Sequence, residues 1–189
     1  MLKGQRVSLR RLDERDLAAI MSWDEDEEII AAMGKKFHAE NECANWFAAV
    51  RQEPRRRVLA IDNEDGELIG ELELDNLSPK EGAVELSICI GNRAYWNQGY
   101  GTDAISLIRD HIFASTRLRR IYLRVYRSNK RAIRCYEKCG FTKEAVLPLS
   151  RRQSGRHDDV VLMSITRARY LAQRGETTPY CRRRRTVGE

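Results

Sequence analysis

The run Trp96-Asn97-Gln98-Gly99-Tyr100-Gly101-Thr102 lies between a strand-like and a helix-like segment and carries two glycines one residue apart. Glycines strip side chains from a bend, so several backbone N–H groups can converge on one anion. A helix that starts at the bend adds about half a positive charge at its N-terminus, which suits a phosphate or pyrophosphate. A second run, Asn129 to Phe141, sets an amide and a phenol, Asn129 and Tyr136, seven residues apart. Seven helical residues are two turns, so the two side chains share a face, about 10 Å apart along the axis. An amide near a strand end and a phenol deeper in can touch one extended ligand.

Each feature also has a plainer account. The bend can be an ordinary strand-to-helix turn, Asn129 an N-cap, Tyr136 a tyrosine packed on a sheet, and Trp96 a packing residue beneath the bend. Gly99 to Ala104 fits the dinucleotide pattern G-x-G-x-x-A as well. That reading needs a carboxylate at the end of the next strand to bind a ribose, and the next strand, Arg120 to Tyr126, has none. No Gly-Lys-Ser/Thr follows the bend, which excludes a P-loop. His38, His111 and His157 are dispersed and have no triad partners in the sequence.

The elements that must position these groups follow from periodicity. Val7 and Leu9 alternate with polar neighbours in a first strand, and Asp13, with Asp16 three residues on, caps a first helix. A second helix is expected from about Ala39 to Val50. Val58 to Ile61, Leu68 to Leu74 and Ala83 to Ile90 alternate as three further strands, joined by turns at Asp65-Gly66 and Ser78 to Gly82. The pattern then changes: a helix from about Thr102 to Phe113, a fifth strand at Ile121 to Val125, and a helix that Asn129 opens and Gly140 ends. Two late strands, about Thr142 to Leu147 and Asp159 to Ile165, flank Ser154-Gly155. An antiparallel meander followed by a helix–strand–helix–strand unit is mixed α/β around one central sheet. Residues 1–173 read as one domain and 174–189 as a basic, flexible tail.

Composition narrows the classes. The hydrophobic fraction of 42% and charged fraction of 33% suit a globular chain. No run approaches the roughly 18 apolar residues of a membrane span, and the first residues lack the apolar core of a signal peptide. The expectation is a cytoplasmic protein without membrane association. The five cysteines form no CxxC pair, so neither a disulfide framework nor a metal site is expected; Cys135 and Cys139 lie one helical turn apart and read as packing residues. Half of the net charge of +6 sits in the tail, which leaves the body a weak field for nucleic acid. Contact with RNA or a ribosome through Arg182 to Arg185 is an accessory reading. Asp24 to Glu28 is an acidic block that is either a solvated loop or an attractor for a polycation.

The two glycine-bend and Asn/Tyr segments, their order and their separation resemble the acetyl-CoA site of the GNAT superfamily. The family's bend reads Gln/Arg-x-x-Gly-x-Gly/Ala, and Trp96 departs from it at the first position. Asn-x-x-Ala-Ile-x-x-Tyr from Asn129, with Gly155-Arg156-x-Asp158, is most similar to bacterial spermidine N-acetyltransferases and their ribosomal-protein N-terminal acetyltransferase relatives. The resemblance runs from Val7 to Ile165. It implies a mixed, mostly antiparallel sheet of about seven strands flanked by about four helices, with the fourth and fifth strands splayed.

The resemblance further implies an enzyme that acetylates a primary amine, a polyamine such as spermidine first, with acetyl-CoA as acyl donor. It implies that Asn97, Gln98, Gly99, Tyr100, Gly101 and Thr102, with Trp96 beside them, hold the pyrophosphate. Ile88, Cys89 and Ile90 would offer strand-edge hydrogen bonds to the pantetheine, and Asn129 would bond the cofactor arm. Tyr136 would protonate the leaving thiolate, and Glu85 would bind the amine or start a water relay, with Glu71 and Glu73 as rivals. The first helix–loop–helix region would build the acceptor cleft, bringing Glu25, Glu28 and Glu71 to the substrate. A ribosomal-protein N-terminal amine as acceptor, a non-catalytic CoA-binding module, and self-association are the remaining expectations.

Overall fold

The computed structural model describes residues 1–33, 40–78, 80–151 and 157–175. Its single sheet has eight strands: β1 (Leu2–Lys3), β2 (Ser8–Arg11), β3 (Arg57–Asp62), β4 (Leu68–Ser78), β5 (Ala83–Ile90), β6 (Arg120–Tyr126), β7 (Thr142–Arg151) and β8 (His157–Thr166). They lie in the order β1-β2-β3-β4-β5-β6-β8-β7. Every neighbouring pair is antiparallel except β5 and β6. Six α-helices are described: α1 (Leu17–Trp23), α2 (Glu27–Met33), α3 (Glu40–Gln52), α4 (Tyr100–Ser115), α5 (Lys130–Lys138) and α6 (Arg167–Gln173).

The sheet separates two layers of helix because its strands alternate. Leu72 and Leu74 of β4, Val84 and Leu86 of β5, and Ile121, Leu123 and Val125 of β6 are buried in one core with Ile105, Ile108 and Ile112 of α4. Full burial of such a side chain contributes about 1.5–3 kcal/mol. A smaller cluster on α1 and α3 centres on Ile20 and Cys43, with Trp23 and Trp46 packed on it. The meander, the central strands and both long helices of the second half thus fall where periodicity puts them. Asp13 forms a capping box with Asp16, and Asn129 caps α5 by accepting from the Ala132 N–H at 3.1 Å.

The additions to the expected count are short elements. β1 is two residues long, too short to leave a periodic signal, and pairs Leu2 with Leu9. α2 grows out of the acidic block: Asp26 Oδ1 accepts from the amides of Glu28 (2.9 Å) and Ile29 (3.3 Å), and Glu27 and Glu28 occupy the first turn. Carboxylates there face the positive end of the helix and favour it. α6 is capped by Thr166, whose hydroxyl accepts from the Arg169 N–H. The expected turn at Ser154-Gly155 and the tail arginines Arg182 to Arg185 lie outside the described residues. Among the described residues no helix is long and apolar enough to cross a membrane.

One break in the sheet positions everything that follows. The parallel ladder between β5 and β6 holds only at Ala83–Arg120, Val84–Ile121 and Glu85–Tyr122. Beyond Glu85 the strands part, while β5 stays paired to β4 as far as Gly70–Ile90. The splay expected of the fourth and fifth strands is this opening.

Candidate active site

A cleft of about 670 Å³ occupies the opening, walled by Ile88, Cys89 and Ile90 of β5, by Val125 and Tyr126 of β6, by the start of α4 and by α5. Its upper edge is the glycine bend. After β5 the chain makes one tight turn at Arg93–Tyr95, with the Asn92 side chain accepting from the Ala94 N–H (3.0 Å). Asn97 and Gly99 then take positive φ values of 60° and 92°. Nothing stands within 4 Å of where a Gly99 Cβ would be, so conformation rather than space selects glycine there. The Asp103 N–H reaches the Gly99 carbonyl at 2.9 Å as the first bond of this helix end. The amides of Tyr100, Gly101 and Thr102 precede it, at the end of α4 that carries positive partial charge.

The bend is held from behind. Asp103 accepts from the amides of Arg6 (2.7 Å) and Val7 (3.1 Å), and the Arg6 guanidinium donates to the Gln98 carbonyl. Tyr100 is buried, stacked edge-on against Tyr95 at 4.9 Å, with its hydroxyl donating to Glu64 (3.0 Å). The Gln98 side chain bonds back to the Ala94 carbonyl. Of the expected bend residues, Asn97, Gly99, Gly101 and Thr102 face the cleft, while the side chains of Gln98 and Tyr100 brace it.

Trp96 combines two roles. It lines the cleft, and its indole N–H donates to the Ile90 carbonyl at 2.6 Å. The Arg131 guanidinium lies 3.3 Å from the ring centroid. Burial lowers the pKa of Arg131 from its usual value. Arg134 and Lys138 follow on the cleft side of α5. These three cations at helical spacing were missed in the sequence, although i, i+3, i+7 periodicity marks them. Asn129 lines the cleft as well as capping α5.

On β5 the ladder decides which backbone groups are free. The Gly91 amide bonds Ile69 on the β4 side (2.9 Å), and antiparallel pairing alternates direction residue by residue. Ile88 and Ile90 therefore turn their backbone to the open edge, where the Ile90 carbonyl already accepts from the Trp96 indole. Cys89, opposite Glu71, turns its backbone to β4 and contributes only its side chain to the cleft. Tyr136 is 6% exposed, its ring tilted against Phe141 at 6.1 Å, and it reaches the cleft wall from α5. Burial raises its pKa well above the ordinary phenol value, so the hydroxyl stays protonated at neutral pH.

Beside it along β5 opens a second cavity of about 210 Å³, which shares Ile29, Met33, Ser87, Ile88 and Cys89 with the first. Three carboxylates line it: Asp24, Glu71 and Glu73. Glu71 and Glu73 face it because they pair with Cys89 and Ser87 across the β4–β5 ladder. Glu73 is also bonded by Arg56. Trp23 closes one wall, with its ring so near Gly91 that a Cβ there would fall 1.9 Å from a ring carbon.

Three carboxylates expected at the site, Glu85, Glu25 and Glu28, lie outside the lining of both cavities. Glu85 lines neither cavity. It sits where β5 and β6 are still paired, both oxygens held by Arg124 at 2.8 Å and one by Asn76 at 3.1 Å. Glu25 and Glu28 line neither cavity either; Glu28 and Asp26 pair with Arg93 on the outer side, at 2.8 and 3.4 Å. Of the acidic block, only Asp24, 7% exposed at the end of α1, reaches the second cavity. Among the described residues no cluster of His, Cys, Asp and Glu is placed to hold a metal ion.

Residues 6–142 match the acetyltransferase (GNAT) domain family. The chain is 26% identical to the spermidine N(1)-acetyltransferase of Vibrio cholerae over 169 residues, 89% of this chain and 97% of that one. A crystal structure of spermidine N-acetyltransferase from Vibrio cholerae in complex with CoA and spermine superposes with a TM-score of 0.80 at 26% identity, covering 87% of this chain and 98% of that one. A dodecameric structure of the Vibrio cholerae enzyme superposes with a TM-score of 0.76 at 25% identity, covering 88% and 97%.

Proposed function

The chain belongs to the GNAT acetyltransferase family, and on that premise we propose that it transfers the acetyl group of acetyl-CoA to a primary amine of a polyamine such as spermidine. The observation that carries this reading is the meeting of two unlike cavities at Ser87, Ile88 and Cys89. One is edged by helix-terminal amides and four cations, Arg124, Arg131, Arg134 and Lys138, and suits a diphosphate on a long arm. The other is lined by three carboxylates and suits a cationic amine. The relative that binds CoA and spermine supports the same pairing of ligands.

Acetyl-CoA fits the larger cleft by its donor set. The amides from Gly99 to Thr102 receive the pyrophosphate, with Arg131 beside them. The open backbone edge at Ile88 and Ile90 receives the amide-bearing arm as an added strand would be received, and Asn129 flanks it. The acyl donor supplies an activated thioester carbonyl.

The remaining steps belong to this chain. Asp24, Glu71 and Glu73 draw the protonated polyamine to the small cavity and orient it toward β5. Loss of one proton, to Glu71 or to water beside it, frees the lone pair. The neutral amine attacks the carbonyl directly, and backbone N–H groups on the open edge of β5 stabilise the oxyanion. Tyr136 protonates the leaving thiolate. A buried phenol is a weak acid, so its proton moves only as negative charge develops on sulfur, which suppresses premature loss. Holding amine and thioester at the junction supplies much of the acceleration. The oligomeric relative supports self-association of this chain as well.

The experiment is a thiol-release assay with acetyl-CoA and a panel of spermidine, spermine, a monoamine and a peptide with a free N-terminus. The reading expects polyamines to give the highest kcat/KM. Preference for the peptide would favour a protein N-terminal acceptor. CoA binding without turnover of any amine would leave a binding module.

A further inference from the structure

The mechanism leaves the thiol of Cys135, in the cofactor cleft, unused. Its Sγ is 3.3 Å from Thr102 Oγ1 and 3.7 Å from the position a Gly101 Cβ would take. No side chain therefore stands between this sulfur and the amides of the bend. One turn on, the buried Cys139 accepts from the Ser106 hydroxyl (3.7 Å) and reaches the Thr102 carbonyl (3.6 Å). The first turns of α4 thus set their own Thr102 and Ser106 hydroxyls against two thiols of α5 and the chain that follows it, with the Ile90 side chain at the same 3.7 Å from the Gly101 position.

We propose that Cys135 is a thiol-modification site, at which a small disulfide attaches and shuts the pyrophosphate bend against acetyl-CoA. The surroundings favour a nucleophilic sulfur: the positive end of α4, the Thr102 hydroxyl, and Arg131 and Lys138 on the same helix. The neighbouring Cys139 thiol, with Thr102 and the cations, holds the Cys135 thiol below its usual pKa despite burial.

The step balances without outside groups beyond the disulfide. The Cys135 thiolate attacks one sulfur of R–S–S–R, a Cys135–S–S–R bond forms, and R–S⁻ leaves with the electron pair. Cys135 is oxidised and half of the reagent reduced; excess free thiol reverses both. The adduct fills the space against Gly101, where the diphosphate would rest. This proposal rests on the assignment of the larger cleft to acetyl-CoA.

The test uses the full chain with Cys181→Ser, a position outside the described residues. It is treated with one equivalent of the disulfide 5,5′-dithiobis(2-nitrobenzoate), then analysed by peptide mass mapping and by calorimetric titration with CoA. Cys135 is expected to carry the label first. Labelled protein should lose at least tenfold in CoA affinity and regain it with dithiothreitol, and saturating CoA should slow labelling at least tenfold. Cys135→Ser, compared with its own untreated activity, should resist the reagent. If that variant does not fold, CoA protection and thiol reversal decide the matter. First labelling at Cys89 or Cys43, unchanged CoA affinity after full labelling at Cys135, or labelling indifferent to CoA overturns the proposal. Untreated protein that fails to bind CoA would instead sink the acetyl-CoA assignment, and this proposal with it.

Discussion

The two cavities that meet at β5 are built in different ways. The larger is made mostly from backbone: a bend with positive φ at Asn97 and Gly99, a helix terminus, and a strand edge released where β5 leaves β6. The smaller is made from side chains that converge from α1, β4 and β5, with carboxylates at Asp24, Glu71 and Glu73. On the proposed reading the backbone features receive a diphosphate and an amide-bearing arm. Side-chain features select what varies, the amine. Substitutions should therefore divide cleanly between the two halves.

The largest break is expected where both halves act on one bond. Tyr136→Phe should lower kcat by about 100-fold or more, the range of a lost general acid, with the KM of either substrate changed little. Stopped assays with both substrates saturating measure this. Next, Glu71→Gln should raise the KM for spermidine by about tenfold, the equivalent of roughly 1.4 kcal/mol, and leave the KM for acetyl-CoA alone. Arg131→Ala should do the reverse, raising the KM for acetyl-CoA several-fold while the spermidine KM holds, because it removes a cation from the bend and the packing on Trp96.

The smallest catalytic effect is expected at Glu85. Its carboxylate lines neither cavity and is held by Asn76 and by Arg124, whose own side chain lines the larger one. Glu85→Gln should keep kcat/KM within about twofold of the parent and cost on the order of 1 kcal/mol of stability, since Arg124 is half exposed. A thermal melt beside the kinetic assay separates these outcomes. A large drop in kcat with an unchanged melt would restore Glu85 as the base and erase the division drawn here.

The same contrast explains what could be read in the sequence. The glycine bend, the Asn129 cap and the Tyr136 face each depend on residues close in the chain, so spacing revealed them. Glu71, Glu73 and Glu85 all alternate onto polar faces, and no local pattern distinguishes them. What separates them is where β5 parts from β6, a tertiary fact: Glu85 lies on the paired side, opposite Tyr122, and Cys89 opposite Glu71 lies beside the opening. Glu25 and Glu28 lie off both linings for another reason. Asp26 starts a helix, and α2 turns Glu28 toward Arg93, while Asp24 ends α1 facing inward. The Arg131–Arg134–Lys138 stripe was legible by helical spacing, but in the sequence the Asn129 and Tyr136 pair drew the weight.

The central claim is that donor and acceptor meet at Ser87 to Cys89, where the two cavities adjoin. A crystal structure with CoA and spermidine bound tests it most directly. The account predicts the diphosphate on the amides of Gly99 to Thr102, the sulfur near the Tyr136 hydroxyl, and an amine of spermidine among Asp24, Glu71 and Glu73. Spermidine bound instead along the outer acidic surface at Glu25 and Glu28, with the inner carboxylates bare, would contradict it.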